Sequence, residues 1–107
     1  MKQITPPELA SWLDDKGRAR PVLLDVREQW EVQACSIAGS KHVPMGEVPG
    51  RAGELDASAE IVVICHHGGR SMQVAMFLEK NGFAKVHNLA GGVDSWARTV
   101  DPSMPVY

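Results

Sequence analysis

The run Ile61-Val62-Val63-Ile64-Cys65 constrains this chain more than any other segment. Four consecutive β-branched residues lose rotamer freedom in a helix and pack well on a pleated surface. The run is apolar at every position rather than at alternate ones, so both faces of the strand must be covered. That predicts a central strand of a parallel sheet. Parallel neighbours need crossover connections, and the flanking sequence supplies them. Thr5-Pro6-Pro7-Glu8 is a capping box with proline at the first helical position, and Leu9, Trp12 and Leu13 follow at helical spacing up to Gly17. Residues 21–26 read as a second buried strand, followed by a short helix over 29–32. Residues 35–53 read as irregular chain with a brief strand at His42-Val43. A helix over 71–81 carries Val74, Phe77 and Leu78 on its core face and ends at Gly82. A strand over 86–89 follows, and Gly91-Gly92 opens a last helix bearing Val93 and Trp96. Strands alternating with helices predict a doubly wound α/β fold.

Composition narrows the setting. At 107 residues the chain suits one domain, taken as residues 1–107, and a chain of this size buries roughly 60–70% of its unfolded surface. A hydrophobic fraction of 44% excludes a disordered chain. The net charge of −2 argues against a nucleic-acid partner, and the densest basic cluster, Lys16, Arg18 and Arg20, reads as a solvated loop. The N-terminus lacks the apolar core of a secretory leader, and the longest apolar run is far too short to span a membrane. Cys35 and Cys65 are too few for a disulfide scaffold. Free thiols in the reducing cytoplasm are therefore expected. No coiled-coil stripe appears, so the expected state is a monomer.

Ligands in open α/β sheets sit beyond the carboxyl ends of the strands. Two predicted strands end there in reactive side chains, one in Asp25-Val26-Arg27-Glu28 and the other in Cys65. After Cys65 come His66-His67-Gly68-Gly69-Arg70-Ser71 and then a helix. A strand-to-helix loop of this kind turns backbone N–H groups toward one point, where the helix adds roughly half a positive charge. Gly68 and Gly69 permit the curl. Arg70 adds a permanent cation with a fork of donors. All three favour thiolate over thiol at Cys65 and point to a nucleophile facing an anionic substrate. Ser71 is expected to cap the helix or hydrogen-bond the sulfur. Asp25 and Arg27 are expected to pair and anchor the cradle rather than touch substrate.

The loop Cys65-His66-His67-Gly68-Gly69-Arg70 resembles the active-site loop of rhodanese-type sulfurtransferases. Asp25-Val26-Arg27-Glu28 with Trp30-Glu31, Ile37-Ala38-Gly39-Ser40 with His42-Val43-Pro44, and Gly91-Gly92-Val93-Asp94-Ser95-Trp96 resemble that family's other signatures in the same order. The resemblance implies a five-stranded parallel sheet flanked by helices on both faces. It also implies a sulfurtransferase working through a Cys65 persulfide. The donor would be a small anion such as thiosulfate, the acceptor cyanide or a thiol, with a protein as donor or acceptor possible and no cofactor. Where many members carry a Gly-His pair, this chain has Cys35-Ser36. His66 and His67 stand where others often place arginine or lysine. Free histidines titrate near neutrality, so donor binding is expected to weaken as pH rises through it.

Related cysteine phosphatases and arsenate reductases place one residue more between cysteine and arginine, and the shorter loop here suits one sulfur atom better than a tetrahedral oxyanion. A persulfide carrier or interaction module loaded by a partner would use the same Cys65. No metal centre is expected, because adjacent His66 and His67 should project differently and no paired-ligand spacing recurs. Cys35 is expected to be structural or merely exposed, and His87 a satisfied or surface histidine. Trp12, Trp30 and Trp96 are expected in core or rim packing, and Met72 and Met76 in the core. Gly91-Gly92 lacks GxGxxG and a Walker lysine, which argues against a nucleotide.

Overall fold

In this computed structural model, which describes residues Met1–Tyr107, the five strands are β1 (Lys2–Ile4), β2 (Val22–Asp25), β3 (Lys41–His42), β4 (Ile61–Ile64) and β5 (Val86–Leu89). They form one sheet in the order β1-β5-β4-β2-β3, and every pairing is parallel. The continuously apolar run is the central strand, buried at all four positions. Its side chains alternate between two cores, as the pleat requires. Val62 and Ile64 join Leu9, Trp12, Leu89, Val93 and Trp96 on one face, while Ile61 and Val63 join Leu24, Val48, Val74 and Leu78 on the other. Five α-helices supply the cover: α1 (Pro6–Asp14), α2 (Gln29–Ala34), α3 (Val48–Arg51), α4 (Gly69–Lys80) and α5 (Gly92–Thr99). Residues of α1 and α5 line the first core, and residues of α3 and α4 line the second.

Local chemistry accounts for the elements. Thr5 caps α1 through the reciprocal bonds of a capping box, Glu8 N–H to Thr5 Oγ1 at 3.3 Å and Thr5 N–H to Glu8 Oε1 at 2.9 Å. Residues 45–54, read from sequence as irregular, form short turns of 3₁₀ helix on either side of α3, braced by Arg51 bonding both Glu47 and Glu54. β1 has no counterpart in the sequence reading. It is a three-residue edge strand with two exposed positions, too short to show a period, and it forms by pairing Ile4 beside Leu89.

One packing expectation needs correction. Met72 and Met76 are exposed, because Val74, Ala75 and Leu78 define the buried stripe of α4 and the methionines lie outside it. Trp12 and Trp96 are buried, but Trp30 is 62% exposed and meets Tyr107 edge-on. His87 is satisfied, with Nε2 3.3 Å from Glu60 Oε1.

β3 adds outside β2, whereas β5 adds on the far side of β4, so the winding direction reverses between β2 and β4. The carboxyl ends of these two strands, Asp25 and Ile64, lie in register. Such a reversal opens the crevice in which α/β folds place ligands.

Candidate active site

Cys65 follows β4 at that crevice and is 1% exposed. The chain then curls through His66 and His67 to Gly68, which holds a left-handed φ of +106° and precedes the first residue of α4. That conformation, open to glycine, turns the Gly68 N–H back onto Cys65 Sγ at 3.0 Å. The first-turn amides of α4 have no acceptor within the helix, so the helix presents its positive end to the sulfur. α4 begins two residues before its expected start, and Ser71 therefore lies inside the first turn rather than capping it. Its Oγ is 3.3 Å from Sγ and also contacts Asn88 Oδ1, and its single proton serves one partner at a time.

The loop is held from outside by the start of α5. Val93 N–H donates to Cys65 O at 2.9 Å and Asp94 N–H to His66 O at 3.1 Å. Gly92 makes this approach possible. A Cβ there would stand 2.3 Å from Cys65 O and 2.4 Å from His66 O. Asn88 on β5 adds a further tie, donating to Gly68 O at 3.3 Å and to Gln3 Oε1 at 2.9 Å.

Asp25 and Arg27 are fully buried and paired. Arg27 Nε donates to Asp25 Oδ1 at 2.9 Å and Nη2 to Oδ2 at 2.7 Å. The same guanidinium donates to Cys35 O at 2.7 Å, to Glu31 O at 3.3 Å and to Tyr107 Oη at 3.0 Å. It thus fastens the end of β2, α2 and the chain terminus into one knot. Cys35 is buried beside it, with Sγ 3.8 Å from Arg27 Nη1.

Arg70 does not point free into the cradle. Its guanidinium pairs bidentately with Glu31, Nη1 to Oε1 at 2.6 Å and Nη2 to Oε2 at 2.8 Å. Those Arg70 bonds hold the Glu31 carboxyl at about 2, against the opposing effect of burial. Tyr107 donates its hydroxyl to Glu31 Oε2 at 2.7 Å, and burial pushes that hydroxyl up to about 12. The Tyr107 ring stacks on His66, with centroids 4.0 Å apart, and His67 stacks on the opposite face at 3.9 Å. Burial, then the neighbouring His67, lowers the His66 pKa. That direction disfavours the charged ring, so His66 is a weaker cation toward an anionic donor than a free imidazole.

Glu31, Asn88 and Tyr107 carry no site role in the sequence reading. Glu31 stands within a quoted motif, but its partner Arg70 is 39 residues away. Asn88 had one weak signal, an amide in a predicted strand beside His87. Tyr107 had none.

Comparison with known proteins places the chain. The family model described as rhodanese-like domain matches residues 5–99. Thiosulfate sulfurtransferase GlpE of Pseudomonas fluorescens strain Pf0-1 is 37% identical over 98 residues, covering 92% of this chain and 86% of that protein. The chain spans 38% and 40% of the length of two other curated relatives. The second of these, the putative sulfur carrier protein YrkF of Bacillus subtilis, is 46% identical over 74 residues, 69% of this chain. The crystal structure of a rhodanese-like domain protein from Staphylococcus aureus superposes with a TM-score of 0.85 at 28% identity, covering 100% of this chain and 99% of that one. With its sheet order, its cysteine loop at the crevice and a family match over most of its length, this chain belongs to the rhodanese-like domain family.

Proposed function

We propose that the protein is a sulfurtransferase that carries sulfane sulfur on Cys65. The observation that carries this reading is the Gly68 N–H aimed at Cys65 Sγ from the mouth of α4, where a sulfur anion is stabilised. With thiosulfate, the Cys65 thiolate attacks the outer sulfur. The S–S bond of the donor breaks, and sulfite leaves with its electron pair. The new persulfide anion sits among first-turn amides. Cyanide or a thiolate then takes the outer sulfur and returns Cys65 to the thiolate. Arg70 can meet the sulfite charge only by sharing its guanidinium with Glu31 or turning from it. Asp25 and Arg27 hold the floor of the crevice and touch no substrate. Free Cys35 and Cys65 suit a cytoplasmic protein, and no helix is long and apolar enough to cross a membrane.

The Arg70–Glu31 pair also supports a second reading. A guanidinium already neutralised by a carboxylate attracts a small dianion weakly, which favours a persulfide delivered by a partner protein. The relative named as a putative sulfur carrier fits that reading.

A coupled assay separates the two. Thiocyanate formed from thiosulfate and cyanide by the native chain, and none by Cys65→Ala, supports the enzyme. Loading of Cys65 by a protein persulfide with no thiosulfate turnover supports the carrier. Thiosulfate turnover that survives Cys65→Ala overturns both.

A further inference from the structure

The stacked histidines were expected to project apart, yet they converge with a carboxylate contributed by another element. We propose that His66, His67 and Asp94 form a binding site for one divalent transition cation of the Zn²⁺ class at the mouth of the loop. One ligand atom from each residue lies within 4.8 Å of the others, and His67 Nε2 is 3.9 Å from Asp94 Oδ2. Ligands of tetrahedral zinc stand about 3.4 Å apart, given bonds of about 2.0–2.1 Å. A ring nitrogen binds a cation in the plane of its ring, so His67, whose side chain is 67% exposed, must turn out of its stack on His66 as the ligand atoms close in. The backbone is already set, because the Asp94 N–H bond to His66 O fixes the two segments against each other.

A second observation comes from His66 itself. Its Nε2 is the one buried side-chain nitrogen or oxygen in the structure without a hydrogen-bond partner. Buried polar atoms ordinarily have partners, and a ring nitrogen left open is what a ligand site retains. Two imidazoles and one carboxylate select zinc, copper or nickel over magnesium and calcium, and three protein ligands leave a fourth position open. Asp94 is now held by Arg98 at 3.0 and 3.3 Å, an exposed arginine that must release part of that contact. A bound cation would tie the Cys65 loop to α5 and slow sulfur transfer. That consequence rests on the function proposed above, whereas the binding does not.

The test uses the full chain without a histidine tag, carrying Cys65→Ser so that the reactive thiol cannot ligate. Calorimetry with Zn²⁺, and the visible absorption of Co²⁺, should report one equivalent bound. His67→Ala, at an exposed side chain, and Asp94→Asn, an isosteric change at a partly covered one, should each weaken binding at least tenfold, with melting curves confirming that both variants fold. No stoichiometric binding, or binding that neither substitution weakens, overturns the site. In a separate sulfur-transfer assay on the chain that keeps Cys65, an absence of Zn²⁺ inhibition with binding intact counts against the functional consequence only.

Discussion

The Glu31 carboxylate accepts from both Arg70 nitrogens, the Tyr107 hydroxyl and the Glu28 N–H, although Glu31 is only 3% exposed. Its pKa falls from 4.5 to about 2, the Arg70 bonds being the largest cause. A depressed carboxyl contributes stability above its unfolded pKa and loses it as pH falls through the folded one. The native chain should therefore lose on the order of 1–3 kcal/mol between about pH 5 and pH 2 through this group, the range allowing for the partly exposed Arg70. Urea titrations at pH 3 and pH 6 check it: Glu31→Gln should flatten the difference, and an unchanged difference contradicts the assignment. Arg27→Met is more severe. It strands the buried Asp25 carboxylate and should cost about 3–5 kcal/mol in the same titration. Both pairs involve residues that stood in quoted motifs. Asp25 and Arg27 are two apart, and their pairing was legible. Glu31 meets Arg70 only through the fold, and its role was not.

At the scale of elements, the strand-loop-helix unit of β4, the cysteine loop and α4 was readable because each piece is determined locally. β-branched residues force the strand, Gly68 permits the reversal and the apolar spacing makes the helix. The clamp from α5 was not readable, since Gly92 reveals its purpose only where its missing Cβ leaves room for Cys65 O and His66 O. Gly92→Ala adds that Cβ at a φ of +59° and must push the loop away. It should cost roughly 2–3 kcal/mol in thermal unfolding and reduce sulfur loading of the folded fraction more than tenfold. Full loading with native stability contradicts the clamp. The misplacement of Met72 and Met76 has a similar origin. Helical spacing sets which residues share a stripe, and only packing chooses the stripe that is buried.

Across the whole molecule, the parallel sheet and its two-sided cover followed from strand-helix alternation, and the strand order did not. That order needs β1, a three-residue edge invisible to periodicity, and it needs the reversal between β2 and β4 that opens the crevice. The reversal places the fully buried Asp25–Arg27 pair beside the cysteine loop, and Tyr107 at the chain terminus closes the same region. In the function proposed above, this edge of the sheet serves a single sulfur atom on Cys65. Intact mass after incubation with thiosulfate tests that claim most directly, on the native chain and on Cys65→Ser. The native chain should gain one sulfur atom and lose it on adding cyanide, and Cys65→Ser should gain none. The cyanide step separates a persulfide from a sulfinic acid of nearly equal mass, which would survive it. A cyanide-labile sulfur that also appears on Cys65→Ser contradicts the account.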